Sequence, residues 1–177
     1  MANLRIGDKA LPFNLPGVDG KNQALADYAR KNVTIVIFSC NHCPYVRAWE
    51  DRMVQIQGDY AAKGVQLLAI NANDASTYPD DDFESMKQRA LDKHFNFPYL
   101  RDESQEVAHA YGAQRTPEVF LFDTAETMRY HGVIDDNYDD PTAVKRRYLR
   151  DALDAVLSGK APKAADTMPV GCTIKWK

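Results

Sequence analysis

Two cysteines separated by two residues, Cys40 and Cys43 in the stretch SCNHCPYV, are the side chains of this sequence best suited to chemistry. An exposed thiolate attacks a disulfide to give a mixed disulfide, and two intervening residues keep a second sulfur close enough to resolve it. The same spacing serves as half of a zinc site or as two packed thiols, so the surroundings must decide. Only one other cysteine exists, Cys172, which excludes a four-cysteine zinc site within one subunit. Between the pair lie Asn41 and His42, and a protonated His42 adds positive charge beside a thiolate.

The elements that must hold this pair are legible on either side of it. Val33 to Phe38, the run VTIVIF, is β-branched and almost continuously apolar, which suits a strand covered on both faces. Val46, Trp49, Met53, Ile56 and Tyr60 recur at spacings of three and four, one face of a helix that Gly64 is placed to end. Cys40 then falls at the junction of strand and helix, while Cys43 extends the buried helical stripe. The expectation is an exposed Cys40, held as thiolate by the helix start and acting as nucleophile, with a shielded Cys43 as resolving thiol.

Further along, Val65 to Ile70 reads as a second strand, and helices are expected from about Asp80 to Phe95 and from about Ser104 to Tyr111. Val119 to Phe122 and Met128 to Ile134 form a hairpin around DTAET, and a last helix covers about Pro141 to Leu157. Strands alternating with helices, then a hairpin and a helix, give an α/β class with a mixed central sheet, in one domain over residues 1–177. Val170, Cys172, Ile174 and Trp176 alternate with smaller or polar residues, so a tail over residues 160–177 is expected to dock with Cys172 on its apolar side. There Cys172 is either a small buried hydrophobe or an additional redox cysteine that reaches Cys40. Glu118 is expected at a strand-edge surface, DDNYDD (135–140) as a solvated loop, and His94, His109 and His131 in surface or packing roles.

Composition removes several function classes. A net charge of −3 gives no basic footprint for nucleic acid. No apolar stretch reaches the roughly 18 residues of a membrane span, and MANLRIGDKALPF lacks the apolar segment of a signal peptide. A cytoplasmic protein with no membrane partner is expected, and in that reducing setting closely spaced cysteines are catalytic or metal-binding more often than structural.

VTIVIFSCNHCPYV followed by QRTPEVFLFD resembles the thioredoxin-like superfamily, specifically the redoxin branch of alkyl hydroperoxide reductase and thiol-specific antioxidant proteins. IGDKALPFNLPGVDGK is similar to the N-terminal extension of that branch, and GCTIKW to the ending of a bacterial subgroup. The resemblance implies a thioredoxin-like fold with an N-terminal extension and a C-terminal tail. It implies thiol–disulfide exchange with a disulfide-containing protein or small thiol substrate and an unidentified reductant, without cofactor or resident metal. It also implies a cis bond at Thr116-Pro117 facing the cysteines, with Thr116 offering its backbone to an extended substrate.

The departures from that pattern carry expectations of their own. Ser39 and Asn41-His42 stand where thioredoxins carry Trp and Gly-Pro, and replacing that proline by His42 should favour the thiolate and make a stronger oxidant. Thr34 stands where thioredoxins place a buried acid, and Val33 and Ile37 where peroxiredoxins carry the Pro and Thr of P-x-x-x-T-x-x-C. A thiol peroxidase is therefore the runner-up enzyme. A copper(I) or zinc carrier using both thiolates with His42 or Cys172 is the non-enzymatic alternative.

Overall fold

The apolar run ahead of the cysteines lies at the middle of a sheet because both its faces are covered. Ile35 and Ile37 point into one buried cluster with Trp49, Met53, Leu67 and Leu153, whereas Val36 and Phe38 point into another with Leu68, Tyr111 and Phe120. Period-two alternation between two cores is what makes the run continuously apolar. The computed structural model describes residues 3–177. Its elements are β1 (Asn14–Pro16), β2 (Asn22–Ala24), β3 (Val33–Ser39), α1 (Pro44–Tyr60), β4 (Val65–Asn71), α2 (Phe83–Asp92), β5 (Tyr99–Arg101) and α3 (Glu106–Tyr111). There follow β6 (Arg115–Thr116), β7 (Glu118–Phe122), β8 (Met128–Gly132), α4 (Tyr148–Leu157) and β9 (Cys172–Thr173).

The five-stranded sheet runs in the order β5-β4-β3-β7-β8. β3 pairs parallel with β4 and antiparallel with β7, and β8 closes the hairpin antiparallel to β7. This is the expected α/β architecture with a mixed central sheet. Helices α1, α2 and α4 contribute Trp49, Met86 and Leu153 to one core, while α3 contributes Ala108 and Tyr111 to the other. Among the described residues no helix is long and apolar enough to cross a membrane.

Two expected helices are shorter than their periodicity suggests. Residues Pro79–Asp81 form a 3-10 turn, and α2 starts only after Asp82, whose carboxylate accepts from the Ser85 N–H at 2.7 Å. The acidic run therefore does not lie along a first helical turn: Asp82 is the cap and Asp81 is turned inward. Pro141–Ala143 is likewise a separate 3-10 turn, and α4 begins at Tyr148, leaving Val144 outside it.

The tail is fixed by its backbone more than by the expected alternation. Cys172 is half-buried and Ile174 buried, but Val170 and Trp176 stay exposed, Trp176 stacking on His109 with ring centroids 4.2 Å apart. β9 pairs antiparallel with β6, Thr116 opposite Cys172. The Ile174 N–H donates to the Gln114 carbonyl at 3.0 Å, the Asp74 N–H to the Lys175 carbonyl at 2.7 Å, and the Lys175 N–H to Asn73 Oδ1 at 2.9 Å. Gly171 permits the approach, since a Cβ there would lie 2.1 Å from the Thr116 carbonyl oxygen. Gly171→Ala is accordingly expected to release β9 from β6, and hydrogen exchange should find the Ile174 amide protected in the parent chain and fast in the variant.

Candidate active site

Cys40 ends the stretch after β3, and Cys43 is the N-cap residue of α1, with Pro44 at the first helical position. Both are buried: Cys40 is 2% exposed and Cys43 0%. This corrects the expectation of an exposed Cys40. Thr116 covers the pair, its hydroxyl 3.4 Å from Cys40 Sγ and its carbonyl oxygen 3.3 Å from Cys43 Sγ. The Thr116-Pro117 peptide bond is cis. The edge of Thr116 that the resemblance reserves for an extended substrate is occupied by the chain's own β9.

The electrostatics of the two coupled sulfurs favour one negative charge on the pair. The neighbouring Cys40 lowers the Cys43 thiol pKa to about 4, against burial, with Cys172 helping. Cys40 is pushed well above the ordinary thiol range by the neighbouring Cys43, by burial and by the negative charge of Asp81. Position contributes: Cys43 is the N-cap residue of α1 and so sits at the positive end of the helix dipole, three residues closer to it than Cys40.

Asp81 was not legible as a site residue. It is 0% exposed and its carboxylate accepts from the Asn41 N–H at 2.6 Å, Asn73 Nδ2 at 2.9 Å, Asn71 Nδ2 at 3.1 Å and His42 Nδ1. His42 is thus clamped, Nδ1 on Asp81 and its ring stacked on Tyr78 at 5.4 Å. Asn41 is fixed as tightly, receiving the Tyr99 hydroxyl at 2.8 Å on Oδ1 and donating through Nδ2 to the Asp80 carbonyl at 2.8 Å. A donor atom each from Cys40, His42 and Asp81 lie within 4.8 Å of one another, the spacing of a metal-ligand set. The carboxylate's four hydrogen bonds would compete with an ion there. Removing this acceptor strands several buried donors, each costing roughly 1–3 kcal/mol, so Asp81→Ala is expected to lose about 3 kcal/mol or more of stability, read from the urea midpoint.

The match that decides kinship covers most of the chain: the AhpC/TSA family model fits residues 6–136. The chain belongs to the AhpC/TSA family. It is 27% identical over 129 residues to thiol-disulfide oxidoreductase ResA of Halalkalibacterium halodurans, covering 72% of this chain and 68% of that one. A crystal structure of an uncharacterized conserved protein from Geobacillus kaustophilus superposes with a TM-score of 0.93 at 41% identity, over 98% of this chain and 93% of the other. A thiol:disulfide interchange protein of the thioredoxin family from Chlorobium tepidum shares the fold, with a TM-score of 0.60 at 23% identity over 73% and 87% of the two chains.

Within this AhpC/TSA-family protein the acid absent at Thr34 has a counterpart, because Asp81 supplies a buried carboxylate near Cys40 from the turn before α2. Glu118, expected at the surface, is 2% exposed. One oxygen accepts from the Gln114 and Arg115 N–H groups, each at 2.7 Å, and the other contacts His131 Nε2 at 2.8 Å, so it braces the loop entering Thr116. His131 also meets Asp166 through Nδ1 at 2.8 Å; burial opposes its charge, but the two carboxylates raise its pKa. DDNYDD is a largely exposed loop, as expected, anchored at its first residue: Asp135 is buried and accepts from Trp49 Nε1 at 2.9 Å and Arg52 Nη1 at 2.8 Å.

Proposed function

We infer that this chain is a thiol–disulfide oxidoreductase that exchanges electrons with disulfides of proteins or small thiols through Cys40 and Cys43. The observation that carries this reading is the placement of both sulfurs against Thr116, its hydroxyl 3.4 Å from Cys40 Sγ and its carbonyl 3.3 Å from Cys43 Sγ. The lowered Cys43 thiol leaves one negative charge on the pair, and transfer of a proton from Cys40 to Cys43 makes Cys40 the nucleophile. Cys40 attacks a substrate disulfide and one substrate thiolate leaves. Cys43 then gives up its proton and attacks Cys40 Sγ, releasing the second substrate thiol and closing the Cys40–Cys43 disulfide. Asp81 and His42 position the Cys40-to-Cys43 segment, Asp81 accepting the Asn41 N–H and His42 Nδ1.

The test is dithiothreitol-driven reduction of insulin. Turnover unaffected by chelators is expected. Stoichiometric copper or zinc on the purified chain, with no disulfide turnover, would establish the metal carrier instead. Hydrogen peroxide should be consumed slowly, because Val33 and Ile37 replace the Pro and Thr of the peroxidatic motif; a peroxide rate far above that of a free thiol would move the assignment to a peroxidase.

A further inference from the structure

We propose that Cys172 is a third redox thiol, which takes over the disulfide from the Cys40–Cys43 pair by exchange at Cys43, so that the oxidised bond comes to rest in the tail as Cys43–Cys172. The proposal rests on the reading that Cys40 and Cys43 cycle between dithiol and disulfide.

Placement is the first argument. Cys172 stands opposite Thr116 in the β6–β9 pair, and Thr116 is the residue that covers both sulfurs of the site. Directly opposed residues of antiparallel strands have α-carbons about 4.5–5.5 Å apart, so the strand register delivers Cys172 to the pair. Its side chain packs against the cluster of Cys40, Cys43 and Val46. The partner is Cys43 and not Cys40: Cys43 Sγ lies 3.3 Å from the backbone carbonyl of Thr116, the residue Cys172 pairs with, and is the sulfur that perturbs the Cys172 thiol, whereas Cys40 Sγ lies at the Thr116 hydroxyl.

Accessibility is the second argument. A reductant must bring its own sulfur onto one sulfur of the disulfide it opens; Cys43 is 0% exposed, and Cys40, at 2%, is the sulfur that must also admit substrate. Cys172 is half-buried, the most accessible of the three. Burial and the neighbouring Cys43 sulfur push its thiol up to about 11. Once Cys43 is in a disulfide, the negative sulfur beside Cys172 is gone and that part of the barrier to its ionisation is relieved.

The step balances within the chain. Cys172 loses its proton and its sulfur attacks Cys43 Sγ; the Cys43–Cys172 bond forms as the Cys40–Cys43 bond breaks, and Cys40 leaves as a thiolate that takes up a proton. One disulfide and one thiol stand on each side, with no net oxidation. A dithiol reductant then opens Cys43–Cys172, supplying two electrons and two protons and becoming a disulfide itself. Cys40 is free for another substrate before that reduction occurs.

The full-length Cys40→Ser chain, reduced, desalted and treated with stoichiometric diamide, is expected to yield an intrachain Cys43–Cys172 peptide by non-reducing digestion and mass spectrometry. Cys43→Ser, treated alike, should give intermolecular adducts without a Cys40–Cys172 link. If Cys40→Ser retains two free thiols or forms only intermolecular bonds while the parent chain closes Cys40–Cys43, the relay is overturned and the cycling pair stands. If the parent chain closes no Cys40–Cys43 bond, the reading beneath the relay falls as well. As a second measure, Cys172→Ala should slow re-reduction of the oxidised chain by dithiothreitol about tenfold, since attack is then confined to enclosed sulfurs; an unchanged rate would overturn the relay.

Discussion

Replacing Cys43 by serine is expected to convert the protein from a catalyst into a trap: insulin turnover falls to the rate of dithiothreitol alone, while mixed disulfides accumulate through Cys40. The geometry gives the reason. Cys43 Sγ packs beside Cys40 and is the lowered thiol of the pair, so its loss removes the resolving sulfur and the charge held on the pair. A serine hydroxyl can donate to the Thr116 carbonyl, which lies 3.3 Å from Cys43 Sγ, so the fold should survive. The adduct then persists because no second sulfur is bonded to Cys40. Intact mass after incubation with a disulfide peptide should show the parent chain plus one peptide moiety, removable by dithiothreitol. Rapid turnover by this variant, or adducts that map to Cys172 in place of Cys40, would remove Cys40 from the nucleophile's role.

How far the sequence carried can be judged from particular elements. β3 and α1 were readable because each repeats one physical demand: two covered faces along Val33–Ser39, and one buried face along α1 at Val46, Trp49, Met53, Ile56 and Tyr60. β5 was invisible, since three residues, Tyr99–Arg101, are too few to show a period. Around Asp80 a local rule misled. Four consecutive residues, Pro79 to Asp82, look like a helix entrance of acidic character, and a helix entrance is there. What chain position could not reveal is that Asp82 caps the helix while Asp81, one residue earlier, faces Asn71 and Asn73. The available signal was redundancy: a helix needs one N-cap, and three aspartates leave two to be explained.

Spacing alone located the cysteine pair, but the chemistry within the pair depends on contacts that spacing does not contain. The expected thiolate at Cys40 assumed that the helix starts beside it; Pro44 at the first helical position moves that start to Cys43. His42 was read as a free positive charge, whereas Asp81 and Tyr78 hold its ring. Glu118 read as a surface residue because it stands at the strand entry, just before the hairpin, yet His131 of β8 and the residues before Thr116 close over it. For His42 and Glu118 the deciding partners Asp81 and His131 lie 39 and 13 residues away, where no periodicity points.

The reduction potential of the Cys40–Cys43 couple is expected to fall by about 30 mV per pH unit between pH 5 and pH 8, half the slope of an ordinary dithiol pair. Reducing a disulfide takes two electrons and as many protons as the two thiols hold at that pH, and each proton contributes about 30 mV per unit to a two-electron couple. Ordinary thiols, with pKa values near 8.5, would both be protonated in this range. Here the neighbouring Cys40 lowers the Cys43 thiol pKa to about 4, so the pair is expected to take up one proton rather than two in this range. At pH 7 a thiolate with a pKa about three units lower stabilises the dithiol form by roughly 90 mV, which keeps the expectation of a strong oxidant but assigns it to Cys43 in place of His42. The sign for stability follows from the same shift. Because the folded pKa is depressed, the unfolded reduced chain binds the extra proton between about pH 4 and the ordinary thiol value, so the reduced form gains stability over the oxidised form as pH rises through that window and loses it as pH falls through 4. Redox titration against glutathione buffers at several pH values measures the slope, and thiolate absorbance near 240 nm should report about one thiolate per reduced chain at pH 6. A slope near 60 mV per unit across the range, with no thiolate at pH 6, would show that the pair holds both its protons and that Cys43 is an ordinary thiol.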